Sequence, residues 1–225
     1  TDGAGSVAQP PALTVNVTDP ENDKMTVTFY GRLKNAPPAP DFTLIAIPDP
    51  QYYASTYPAI YNAQMQWIVE NKTARNIAYA VSLGDNVDVS TNATQWDRAV
   101  AAYDILATGG VPYGLVAGNH DGAPASTAEF NARFATRKTV QASYGGRYGT
   151  SDYDNYYTLF EAGGMQFVAV FIEMDDGMTS AAHPVLQWAN SIVQMYSNRR
   201  AILVTHNLLN GGTATSFSAQ GSATF

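Results

Sequence analysis

The sequence predicts a layered α/β domain, and two observations predict it. Leu44–Ile47, Ile77–Leu83, Leu115–Ala117, Phe167–Ile172 and Ile202–Val204 are short, nearly continuous apolar runs. Runs of this length suit strands buried on both faces. Stripes at helical spacing separate several of them, and strand–helix alternation implies a largely parallel, layered arrangement.

The elements follow in order. Residues 13–17 and 25–30 alternate with period two around the turn signal Asp19-Pro20-Glu21-Asn22-Asp23, which predicts a β-hairpin. A lone hairpin is marginal in water, so this one needs a partner surface. Asn35-Ala36-Pro37-Pro38-Ala39-Pro40 reads as a stiff linker, which divides the chain into residues 1–40 and a main domain over 41–225. In the main domain, Tyr61, Met65, Ile68 and Val69 share one helical face, and Trp96, Ala99, Val100 and Tyr103 share another. Val185, Trp188, Ala189, Ile192, Val193 and Tyr196 form a third stripe. The Tyr-, Gly- and Asp-rich stretch from 144 reads as a long loop, followed by a hairpin that turns at Gly163-Gly164.

Composition narrows the functions. The chain has 225 residues, 45% of them hydrophobic, and a formal net charge of −7. That is enough apolar material for a packed core. The absence of cysteine excludes a disulfide scaffold and any Cys-ligated metal. The acidic balance argues against nucleic acid as the main partner. No apolar run approaches the ~20 residues of a membrane helix. Few charges with many Ser, Thr, Asn, Gly and Tyr fit a secreted or cell-surface protein, and Asn16, Asn71 and Asn92 each open an N-x-Ser/Thr triplet. No signal-peptide pattern opens the chain, and Thr1–Ser6 reads as a processed end.

In layered α/β folds, ligands sit beyond the carboxyl ends of the strands. Pro48-Asp49-Pro50-Gln51 follows the first run, Gly84-Asp85-Asn86-Val87-Asp88 the second and Gly118-Asn119-His120-Asp121 the third, while Thr205-His206-Asn207 follows the last. Four strand ends thus deliver Asp, Asn, Gln or His to one rim. Oxygen and imidazole groups converging there are what a divalent metal site requires. Asp85 and Asp88 lie three apart at a sharp Gly turn, and two close acids repel unless a cation or an imidazolium neutralises them.

Taken together, these motifs resemble the calcineurin-like metallophosphoesterase superfamily over roughly residues 42–210. Gly84-Asp85-x-x-Asp88 and Gly118-Asn119-His120-Asp121 match its signature in full, and His206 matches its strand-end His. Gln51 stands where Asp-x-His is usual, which replaces an imidazole with a neutral oxygen donor. The family's last element, Gly-His-x-His, is absent, and Phe225 lies about 20 residues past His206. The main domain is therefore expected to be C-terminally incomplete, either as a fragment or with an oligomer or a second chain completing its sheet. The N-terminal hairpin resembles the last two strands of a bacterial immunoglobulin-like domain.

The resemblance implies an α/β/β/α sandwich, two divalent metal ions (Mn, Fe, Zn or Mg) and a phosphate ester substrate. Asp49 and Gln51 would bind the first metal, Asp85 would bridge both, and Asn119 and His206 would bind the second. A hydroxide held between the ions would attack phosphorus. His120 would assist the leaving group, with Asp88 orienting it and Asp121 standing behind the ligands. Without the missing histidines, the first ion would meet only oxygen, a set that favours Mg²⁺, Mn²⁺ or Ca²⁺ over Zn²⁺. Two other readings stand beside this one: a fragment of a surface binding protein with an incomplete site, and a metal-dependent hydrolase of a non-phosphate ester. Further candidates each have a plain structural alternative. Tyr52 and Tyr53 wall the pocket or pack beneath it. Arg147 contacts phosphate or is a surface charge. His183 and Asp175-Asp176-Gly177 touch the rim or form ordinary turns, and Asp19 and Asp23 hold Ca²⁺ or form a turn.

Overall fold

In the computed structural model, residues 40–175, 177–209, 218 and 220 are described. All of them belong to one compact unit, Ala39–Phe225. The predicted N-terminal hairpin and Pro-rich linker, with Asp19 and Asp23, lie outside the described residues.

Two sheets form the centre. β1 (Thr43–Ile47), β2 (Ile77–Ser82) and β3 (Tyr113–Leu115) make an all-parallel sheet in that order. β4 (Tyr144–Arg147), β5 (Tyr156–Ala162), β6 (Met165–Ile172) and β7 (Arg200–Thr205) make the second. In it, β4–β5 and β5–β6 are antiparallel and β6–β7 is parallel. The expectation of a largely parallel arrangement therefore holds for the first sheet only. The Tyr/Gly stretch read as a long loop contains β4: its glycines leave room for the Tyr157 ring, which a Cβ on Gly145 would meet at 2.2 Å.

The sheets pack face to face through aromatic rings. Tyr79 of β2 stacks on Phe160 of β5 at 4.6 Å, and Tyr156 stacks on Phe171 at the same distance. Phe171 lies against Gly114 of β3, where a Cβ would come within 2.1 Å of the ring. The Tyr156 hydroxyl crosses to β3, accepting from the Leu115 N–H at 2.8 Å and donating to its carbonyl at 3.0 Å. These rings are the interior of the sandwich.

Helices cover both outer faces. α1 (Gln51–Ser55), α2 (Pro58–Asn71), α3 (Ala93–Thr108) and α4 (Ala128–Thr139) lie on the first sheet, and α5 (Pro184–Met195) lies on the second. Tyr61, Met65 and Ile68 of α2 and Trp96, Ala99 and Tyr103 of α3 are buried as their spacing predicts. α1 and α4 were not foreseen. α4 presents only Phe130 and Phe134 as buried apolar anchors, and its third buried residue is Lys138. The Lys138 ammonium is satisfied by the Tyr153 carbonyl and by the Phe130 and Tyr156 rings at 4.4 and 4.7 Å. The layering is α/β/β/α. Among the described residues, no helix is long and apolar enough to cross a membrane.

Among the described residues, β1 and β7 are outer strands of their sheets. β1 is accordingly half-exposed at Leu44 and Ala46, against the expectation of burial on both faces.

Phe171→Ala would empty the space between Gly114 and Tyr156. The expected cost is about 3–5 kcal/mol, read as a lower urea midpoint at unchanged slope.

Candidate metal centre

Parallel register sets the rim. Ile47, Ser82 and Leu115 stand side by side at the ends of β1, β2 and β3, and Ile172 pairs with Thr205 in the second sheet. Each loop that follows starts at the same level. The chain then turns sharply. Asp49 and Asp85 have φ of 40° and 52°, and Gly84 has φ of 103°. Left-handed backbone costs an L-residue energy, but Asp tolerates it better than most, and the turn swings both carboxylates across the strand ends.

The result is a cluster. One ligand atom from each of Asp49, Asp85 and His206 lies within 4.8 Å of the others. His206 donates from Nδ1 to the Leu83 carbonyl at 2.8 Å. A carbonyl only accepts, so the neutral ring keeps Nε2 bare. Nε2 faces Asp85 Oδ2 at 3.4 Å and Asn119 Oδ1 at 3.2 Å. Asp49 Oδ1 is 3.7 Å from Nδ1. Acceptors converging in this way need a proton or a cation between them.

Close approach makes two glycines necessary. A Cβ on Gly84 would stand 2.6 Å from His206 Nδ1, and one on Gly118 would stand 2.2 Å from Asp85 Oδ1. Gln51 opens α1 two residues after Asp49, and its Oε1 is buried with no hydrogen-bond partner. An orphaned buried carbonyl oxygen, two residues from Asp49 in sequence, fits a ligand for a hard cation.

His120 lies beside the cluster. Its main-chain N–H donates to Asp85 Oδ1 at 3.0 Å. Its Nδ1 donates to the main-chain carbonyl of Asp88 at 2.8 Å, whereas the Asp88 carboxylate is 3.6 Å away. Asp88 thus meets the ring chiefly through its backbone, with its side chain further away.

Asp121 stands behind the cluster. It is fully buried and accepts from Gly118 N, Asn86 N, Asn86 Nδ2 and Val87 N at 2.8–3.1 Å. Burial pushes its carboxyl up to about 6, against the pull of those donors. The clamp binds the Asp85 turn to the Asn119 turn. Asn86, which donates into this clamp, and Gln95, which accepts from the Asp88 and Val89 N–H groups, were missed, as was Arg98, which binds the end of α1. The legible signal for Gln95 was its place on the buried face of α3, one residue before Trp96.

The remaining candidates lie elsewhere. Arg147 stacks over Tyr153 at 4.0 Å and donates to the Thr150 carbonyl. His183 directly precedes α5 without a capping bond from its side chain, and its Nε2 is 3.9 Å from Asp175 Oδ2. Asp175 accepts from Gly177 N at 2.7 Å, and Asp176 is outside the described residues. Tyr52 is exposed and Tyr53 is partly buried near Tyr61.

No protein-family model matches the chain. It is 34% identical over 177 residues to the uncharacterized protein YvnB of Bacillus subtilis (strain 168). That match covers 77% of this chain but only 13% of YvnB. Among solved structures it is similar to a dimetal phosphatase from Danio rerio, with a TM-score of 0.52, 16% identity and coverage of 83% of this chain and 76% of that one. The chain has a metallophosphoesterase fold. A purple acid phosphatase from yellow lupin (Lupinus luteus) seeds has a TM-score of 0.49, 15% identity and coverage of 78% of this chain and 33% of that one. Asp49, Asp85, Asn119 and His206 meet at one rim of this fold, and no Gly-His-x-His occurs in the sequence.

Burial opposes charge on His206, but Asp85, the Leu83 carbonyl and Asp49 outweigh it and raise the imidazole from 6.5 to about 9. The folded state then binds a proton more tightly than the unfolded chain. This contribution to stability is complete below pH 6.5 and is lost as pH rises to about 9. Urea unfolding of metal-free protein should show the decline across that window, and His206→Asn should remove it.

Proposed function

We propose that this domain is a metal-dependent phosphoesterase that hydrolyses a phosphomonoester or phosphodiester. The observation that carries the reading is the convergence of Asp49, Asp85, Asn119 and the Nε2 of His206 beside an oriented His120. A dimetal phosphatase shares the fold, which supports the same reading.

Asp49, Gln51 and Asp85 would hold one divalent cation, and Asp85, Asn119 and His206 a second. When bound, such a pair supplies Lewis acidity toward phosphoryl oxygens and an activated water. The oxygen-only donors of the first position favour Mg²⁺ or Mn²⁺ over Zn²⁺. The chain's own part is orientation and proton delivery. Leu83 fixes the tautomer of His206 through Nδ1, and Asp121 fixes the turns that carry Asp85 and Asn119. His120 keeps its Nδ1 proton on the Asp88 carbonyl, so its Nε2 carries the mobile one. As water attacks phosphorus, the bond to the leaving oxygen breaks and that oxygen takes the Nε2 proton. The neutral ring left behind keeps its bond to Asp88.

The test pairs two leaving groups on Mn²⁺-loaded protein. His120→Ala should slow hydrolysis of an alkyl phosphate ester by about 10²–10⁴-fold and that of a p-nitrophenyl ester far less, because a good leaving group needs no proton. Equal losses with both esters would remove His120 from that role. Faster turnover of an aryl carboxylic ester than of either phosphate ester would overturn the phosphoesterase reading.

A further inference from the structure

Two side chains on α3 reach opposite flanks of the rim from behind. Gln95 is buried, and its Oε1 accepts from the main-chain N–H of Asp88 and of Val89, both at 2.9 Å. The Asp88 peptide carbonyl is the group that holds His120 Nδ1. A displaced 88–89 segment would therefore release the imidazole. Asn92 caps α3 by accepting from Thr94 N and Gln95 N, which fixes the helix start from which Gln95 reaches.

Arg98 lies one turn further along α3. Its Nη1 donates to the carbonyls of Ala54 and Ser55 at 3.0 and 2.8 Å. These carbonyls end α1, a helix of five residues that opens with Gln51. So short a helix has little stability of its own. Its C-terminal carbonyls carry partial negative charge and lack intrahelical partners, so a guanidinium there both satisfies and attracts them. Buried Ala54 supplies the apolar anchor and Arg98 the polar one.

We propose that Gln95 and Arg98 are positioning residues that hold His120 and Gln51 in fixed register across the rim. The proposal rests on the phosphoesterase reading for its purpose, but its geometry stands without turnover. Neither residue touches a reacting atom. Gln95 acts through the 88–89 peptide and Arg98 through α1. Because both sit on one rigid helix, the proton donor and the first cation position move together or not at all.

The test uses the full chain and two readouts. Nitrogen-15 spectra of neutral His120 in metal-free protein report which ring nitrogen bears the proton. Wild type should show Nδ1–H. Gln95→Met, which keeps the shape and loses both acceptors, should shift the ring toward Nε2–H, and Gln95→Glu should restore the wild-type signal. Gln95→Asn, which withdraws the amide by one methylene, serves if Met prevents folding. Calorimetric Mn²⁺ titration reads the other flank. Arg98→Met should weaken one of two ions by about 10–100-fold and leave the other, and Arg98→Lys should recover most of the loss. A folded Gln95→Met protein with an unchanged His120 tautomer, or an Arg98→Met protein with unchanged Mn²⁺ affinity, would overturn the proposal. A wild-type chain that binds no Mn²⁺ would instead overturn the phosphoesterase reading, and the His120 spectra would still decide the role of Gln95.

Discussion

The contact between Asp85 and His206 joins the carboxyl ends of the two sheets, and the rim is arranged around holding it. Asp85 comes from the turn after β2, and His206 follows β7. Their approach requires a left-handed Asp85, a Gly84 without a Cβ and a Gly118 that admits the carboxylate. Left-handed non-glycine residues cost about 1–3 kcal/mol each, so the rim is locally strained. The aromatic sandwich interior and the buried faces of α2 and α3 hold it in place. A site that needs acidic groups at close range cannot also be the most stable arrangement of those groups.

The second feature is the way that strain is supported. Asp121 would be costly in this position without donors, because a buried carboxylate must be hydrogen-bonded. Four donors from the two turns it joins meet that need. Asn86 extends the framework, accepting from Ser82 and Tyr103 and donating to the Val116 carbonyl. A polar network satisfied at every bond specifies one geometry more sharply than apolar packing does. That precision suits groups that would meet a reacting atom, and it places the rim residues on turns held by rigid elements.

Much of this was legible in the sequence because its signals are periodic or local. The strands declared themselves as apolar runs, and Tyr61, Met65 and Ile68 or Trp96, Ala99 and Tyr103 declared the two largest helices. The rim residues declared themselves as polar groups placed just after those runs. What was hidden depends on partners distant in sequence. α4 escaped because a buried Lys138 breaks its apolar stripe, and only the Tyr153 carbonyl and two rings make that burial tolerable. β4 escaped because Gly145 and Gly146 read as loop until Tyr157 is seen lying over them. Asp88 was expected to act through its carboxylate, and its peptide carbonyl is the nearer group, a distinction that side-chain chemistry alone does not carry.

The central claim is that the rim holds divalent cations with the residues present in this chain. The direct measurement is metal content per chain by elemental analysis, after exhaustive dialysis and reloading with Mn²⁺. The account predicts about two ions per chain, reduced by Asp85→Asn. Retention of none, in protein whose circular dichroism shows it folded, would contradict it.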